Sequence, residues 1–119
     1  MNKIMKFEDL NVWQNAIELT TEVYTELKNC KDYGFKDQVC RASVSVPSNI
    51  AEGYERQYNK EYIQFLYIAK ASIGEVRTQL IIAHKLNYIT EIKCDIMIEK
   101  TRKISAQLAK LIKSRKDNF

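Results

Sequence analysis

Apolar side chains recur along the chain at three- and four-residue steps, the spacing of one face of an α-helix. Trp13, Ala16, Ile17, Thr20, Val23, Tyr24 and Leu27 form the first such stripe and predict a helix over residues 9–29. Asp9 is its expected N-cap, since a carboxylate there can accept the first unpaired amide hydrogens. The "CKDYGF" that follows reads as its exit, with Gly34 able to take a left-handed conformation. A second helix is expected from near Lys36 to Gly53, burying Val39, Ala42, Ser43, Val46 and Ile50, with Gly53 as its stop. The third and longest, from Asn59 as cap to Leu86, projects Tyr62, Phe65, Leu66, Ala69, Ile73, Val76 and Leu80 to one side. After Asn87 as a left-handed C-terminal residue and Thr90 as N-cap, a fourth helix runs to about Ser114, with Met97, Ile104, Leu108, Leu111 and Ile112 facing inward.

With only three glycines and one proline in 119 residues, strands would have little to turn on. Four amphipathic helices joined by short loops in a chain of this length predict an all-α fold, an antiparallel four-helix bundle forming a single domain over residues 1–119. The one proline, Pro47, lies inside "RASVSVPSNIAEGYER". Either it kinks a continuous helix, with the hydroxyls of Ser43, Ser45 and Ser48 satisfying freed backbone groups, or it starts a new helix after Val46.

Two helices carry a second apolar side. In the third, Ile63, Tyr67, Ala71, Gly74 and Ile81 lie about a third of a turn from the core stripe; in the second, Cys40, Val44, Pro47 and Ala51 repeat the feature. Pro47 is thus expected to face this extra side rather than the bundle centre. A helix apolar on two sides is covered on both. The cover is either another copy of the chain, making Val44, Pro47, Ala51, Ile63, Tyr67, Ala71, Gly74 and Ile81 candidate interface residues of a homo-oligomer, or the rest of one thick bundle.

Charge adds a second theme. The net charge is +4, but residues 1–35 hold four basic and six acidic groups, whereas residues 90–119 hold eight basic and four acidic ones. Arg102, Lys103, Lys110, Lys113, Arg115 and Lys116 form a basic run, mostly opposite the Ile104–Leu108–Leu111 stripe, that suits the phosphates of RNA or DNA or serves only as a solubilising surface. Arg41, Arg56 and Arg77, with Lys60 and Lys70, could extend it. The N-terminus lacks the apolar stretch of a signal peptide and no run is long enough to cross a bilayer, so a cytoplasmic protein with no membrane partner is expected.

Catalytic chemistry has little to stand on. Cys30, Cys40 and Cys94 show no Cys-x-x-Cys spacing, so reduced thiols and no metal site are expected. The single histidine, His84, falls beside the core stripe near a helix C-terminus, where packing or a favourable dipole accounts for it. Ser48, Asn49, Glu52 and Arg56 share a helix face, and Glu52–Arg56 at i,i+4 reads as an ordinary ion pair. No phosphate-loop, dinucleotide or zinc motif accompanies them, so neither catalytic residues nor a cofactor are expected.

The stretches "LNVWQNAIELTTEVY" (10–24) and "YGFKDQVCRASVSVPSNIAEGYERQYNKEYIQFLYIAKASIGEVRTQL" (33–80), with the fourth helix, resemble the proteins encoded by intervening sequences within bacterial 23S ribosomal RNA genes. The resemblance covers nearly the whole chain. Its most specific elements are Asn49-Ile50-Ala51-Glu52-Gly53 with the upstream serine and proline, Trp13-Gln14, and the Phe65-Leu66-x-x-Ala69 pattern. It implies an up-and-down four-helix bundle, a ring-shaped homopentamer and no enzymatic activity. It also implies kinship with the accessory variability protein of diversity-generating retroelements, which partners a reverse transcriptase, a nucleic-acid-processing enzyme. Two positions depart from the pattern: Arg77 stands in "EVRTQL" where the family has an acidic residue, and Ala71 where glycine is common. The resulting expectation is a non-enzymatic oligomer that binds nucleic acid or a nucleic-acid-processing protein through basic surfaces. The alternative is a structural protein–protein adaptor.

Overall fold

The periodic stripes fold as four helices in a computed structural model that describes residues 6–119. After a short 3-10 turn at Phe7–Asp9 come α1 (Asn11–Leu27), α2 (Tyr33–Tyr54), α3 (Asn59–Lys85) and α4 (Glu91–Asn118). Each helix packs on its neighbours in sequence, and α4 closes on α1, giving an up-and-down bundle with extents of 45 × 24 × 19 Å. One end holds the α2–α3 turn with the start of α1 and the end of α4. The other end holds the α1–α2 and α3–α4 turns.

The core stripes of α2, α3 and α4 are those the periodicity predicts, with Phe65 and Leu111 half-buried at their edges. In α1 the buried line is Val12, Ala16, Leu19, Val23 and Leu27, while Ile17 and Tyr24 are exposed. Both lines have helical spacing, and Leu19 decides between them by adding a large apolar side chain to the true one.

Helix boundaries correct several expectations. Asp9 belongs to the 3-10 turn, and α1 begins after Leu10 without a side-chain cap. Gly34 is not left-handed but the second residue of α2, which starts earlier than expected because Asp32 caps it, its Oδ1 accepting from Phe35 N at 3.3 Å. The other carboxylate oxygen of Asp32 accepts from the Tyr88 hydroxyl at 2.7 Å, which ties the α1–α2 turn to the α3–α4 turn. Tyr58 rather than Asn59 is the N-cap of α3. Asn87 has φ 63° and Thr90 Oγ1 accepts from Lys93 N at 3.2 Å, both as expected, and α4 runs one turn past Ser114.

Pro47 sits inside one continuous α2, yet the carbonyl it frees is not satisfied by a neighbouring serine. Lacking an amide hydrogen, Pro47 leaves Ser43 O without its helical donor. Thr20 Oγ1 of α1 reaches that oxygen at 3.0 Å, sharing its proton with Ala16 O at 2.9 Å. Ser43 and Ser45 turn back instead to the carbonyls of Cys40 and Ala42. Pro47 itself is buried and lines a shallow groove with Trp13, Ile17 and Thr20, so α1 covers much of the side expected to face outward. Gly53 does not stop α2 by adopting a left-handed conformation; it is a point of close approach. A Cβ there would lie 2.7 Å from Phe65 Cβ and 3.2 Å from Tyr62 O of α3.

Candidate nucleic-acid interface

The acidic excess of the N-terminal segment meets part of the basic excess of α4 within the same chain. Lys100 Nζ lies 3.1 Å from Glu18 Oε1 and 3.0 Å from Glu22 Oε1 of α1, and Lys93 lies 3.8 Å from Glu26. The bond to Glu22 outweighs desolvation and holds the Lys100 ammonium above the usual lysine range. Asn15 Nδ2 donates to Gln107 Oε1 at 3.0 Å along the same seam. The two α4 lysines that reach carboxylates of α1 are therefore neutralised, whereas Lys103, which borders the same seam beside Asn15 and Glu18, makes no ion pair among the described residues.

Arg102, Lys103, Lys110, Lys113 and Lys116 are all exposed, and Arg115 is half-buried. Arg102 pairs with Glu99 at 2.6 Å and Lys113 with Asp117 at 2.7 Å, while Lys103 and Lys110 have no partner among the described residues. On α3, Lys70 contributes to a groove of about 350 Å³ shared with Tyr67, Ala109, Ile112, Lys113 and Lys116. Lys116 Nζ donates to the Tyr67 hydroxyl at 2.6 Å and lies 5.0 Å from its ring centroid. That contact brings no carboxylate to the ammonium.

The remaining arginines scatter. Arg77 is half-buried between α3 and α4, its Nε donating to Thr101 Oγ1 at 3.0 Å. Arg56 closes the expected pair with Glu52 at 2.9 Å, lies 3.8 Å from Glu61, and stacks 4.8 Å above the Phe65 ring. Arg41 is exposed on α2, away from the α3/α4 groove. Lys70 and Tyr67 thus join Lys113 and Lys116 where sequence spacing alone could not align two helices.

Among the candidate interface residues, Pro47 is buried, Ala51, Ile63 and Gly74 are half-buried, and Val44, Tyr67, Ala71 and Ile81 are exposed. Tyr67 is engaged by Lys116, so the α3 part of that set borders the basic groove. On the α1/α2 flank Ile17, Tyr24 and Val44 are exposed, and the groove that Ile17 and Val44 share with Pro47 has no lysine in its lining.

His84 and Cys94 line one cavity between α3 and α4 together with Asp95, Glu99 and Arg102. They do not form a nucleophile and base: Cys94 Sγ donates to Leu80 O at 3.6 Å, and burial raises its thiol pKa, keeping it protonated. Among the described residues no group of His, Cys, Asp and Glu could hold a metal ion, and no helix is long and apolar enough to cross a membrane.

The 23S rRNA-intervening sequence protein family matches residues 8–110. A solved structure from Bacteroides thetaiotaomicron VPI-5482, described as a protein of unknown function from the S23 ribosomal protein family, is 24% identical. It superposes with a TM-score of 0.80, covering 86% of this chain and 98% of the other. No curated protein matches. With the bundle, its proline-bearing α2 and a match over most of its length, the chain belongs to the 23S rRNA-intervening sequence protein family.

Proposed function

We propose that the protein is a self-associating, non-enzymatic bundle that binds RNA or DNA, or a nucleic-acid-processing partner, through the cations of the α3/α4 groove and the adjoining face of α4. The observation that carries this reading is the incomplete neutralisation of the lysines of α4 and of the neighbouring α3. Lys93 and Lys100 are paired by α1, whereas Lys70, Lys103, Lys110 and Lys116 have no carboxylate partner among the described residues. Such groups bind phosphates without reading bases. Self-association is supported by the exposed apolar side chains of α1 and α2, Ile17, Tyr24 and Val44, and a closed ring such as the pentamer implied by the resemblance would repeat a weak basic site around its rim.

A titration of a short oligonucleotide at several ionic strengths tests the binding. The affinity should fall with salt with a log–log slope of about −0.7 to −0.9 per phosphate neutralised, and no binding at low salt would favour the adaptor reading. Light scattering tests the assembly, where a mass staying at 13.9 kDa at high concentration would overturn self-association.

A further inference from the structure

The end of the bundle where α3 begins and α4 ends holds a cleft of about 680 Å³, within the range of small-ligand sites. Its lining combines aromatic rings with arginine. Tyr58, the N-cap of α3, is 62% exposed, and Tyr62 forms the inner wall, edge-on to Tyr54 at 5.9 Å. The Arg115 guanidinium lies 5.0 Å from the Tyr62 ring centroid and 3.6 Å from that of Phe119. Asn59 fixes it from both directions: Arg115 Nε donates to Asn59 Oδ1 at 2.8 Å, and Asn59 Nδ2 donates to Arg115 O at 3.0 Å. Asn59 is thus a positioning residue.

Arg115 is a cation held in place without a counterion. Its bonded partner is a neutral amide, and no carboxylate lies within ion-pair distance among the described residues. Tyr62 does not supply the charge either, since burial outweighs the nearby guanidinium and pushes its phenol up to about 12. An oriented guanidinium with free terminal donors, beside exposed rings, suits an anionic group attached to a flat heterocycle.

The cleft lies at the same end of the α3/α4 pair as the basic groove, although the two share no lining residue. Tyr62 and Tyr67 are five residues apart on α3, about 7.5 Å along its axis, and Arg115 adjoins Lys116. Arg115 and Lys116 project about 100° apart on α4, so a strand held by Lys70, Lys113 and Lys116 turns round the C-terminal end of α4 to reach Arg115.

We propose that this bundle-end cleft receives one unpaired nucleotide of a bound strand, its base against Tyr58 and its phosphate on Arg115, so that the protein prefers single-stranded to duplex nucleic acid. The inference rests on the proposed nucleic-acid binding and adds a strand preference to it. Base–aromatic stacking requires an exposed π-face, which a duplex offers only at its ends.

The test measures fluorescence anisotropy of the intact protein with three probes: an unstructured single-stranded oligonucleotide, the duplex formed with its complement, and free adenosine monophosphate. The single strand should bind at least about tenfold tighter than the duplex. Tyr58→Ala should remove most of that preference while leaving duplex affinity unchanged, Arg115→Gln should weaken single-strand binding more than duplex binding, and Tyr58→Phe should retain the preference. Arg115→Lys, which keeps the charge but loses the planar stack, should also weaken single-strand binding. Thermal melts of each variant identify any loss of fold, and Tyr58, being exposed, provides a variant that does not disturb the core. Equal affinity for the two polymers, or variants that weaken both alike, overturns the cleft assignment and leaves groove binding standing. Adenosine monophosphate binding as tightly as the oligonucleotide overturns the strand in favour of a free nucleotide. Absence of binding to either polymer overturns the nucleic-acid reading itself, and the cleft assignment with it.

Discussion

The two flanks of α3 are built from the same helix by opposite means. Toward α2 the contact is close: Gly53 lies against Phe65 and Tyr62, and the hydroxyls of Ser45 and Ser72 are hydrogen-bonded to each other at 2.6 Å. Toward α4 it is bridged by long side chains, Arg77 to Thr101, Lys116 to Tyr67 and Arg115 to Asn59. Small groups let backbones approach and leave no cleft, whereas long cations lean on neighbouring rings and hydroxyls and leave grooves between them. One flank therefore holds the bundle together, and the other carries the candidate interface.

The sharpest way to break this contrast is to add side-chain bulk to each flank. Gly53→Val should cost about 3 kcal/mol in urea unfolding, since neither Phe65 Cβ nor the Tyr62 carbonyl is the end of a flexible chain. Gly74→Ala, with nothing within 4 Å of its added carbon, should be neutral or stabilise by up to about 1 kcal/mol through helix propensity. Equal losses at both sites would erase the distinction. Reversing Lys70, Lys113 and Lys116 to glutamate should lower nucleic-acid affinity about a hundredfold at low salt with little change in melting temperature, since these groups stand over a groove and not in the core.

Tyr62 belongs to both flanks and gives them a pH signature. Its folded-state pKa is raised from 10.0 to about 12, so its stabilising contribution is present in full below pH 10 and is lost as pH rises through about 12. Tyr62→Phe should flatten the alkaline limb of the stability profile.

Smaller effects are expected at the joints with α1. Thr20→Ala should cost about 1 kcal/mol beside Pro47 and less in a Pro47→Ala background, where a new amide hydrogen can reach Ser43 O; a double-mutant cycle reads the difference. Lys100→Ala should cost less than about 1 kcal/mol, and most of the loss should vanish at high salt.

Much of the bundle was legible because helical periodicity is a local property. The stripes of α2, α3 and α4, the left-handed Asn87 and the Thr90 cap all follow from residues within a turn or two of each other. The α1 stripe was not, since Trp13–Ile17–Tyr24 and Val12–Leu19 both have helical spacing and only contact with the other helices chooses one. Gly34 and Asn59 depart from the expected roles: Asp32 caps α2 just ahead of Gly34, and Asn59 bonds Arg115, 56 positions away.

The sequence by itself determined the number of helices, their approximate limits and the surplus of lysine on α4, because each depends on neighbours along the chain. Only the tertiary structure decided which of those lysines α1 neutralises, that Thr20 answers the carbonyl freed by Pro47, and that Lys70 and Tyr67 face Lys113 and Lys116. Coulombic pairing and hydrogen bonding act over a few ångströms in space, and the relative rotation of two packed helices, which sets those distances, is settled by the whole core.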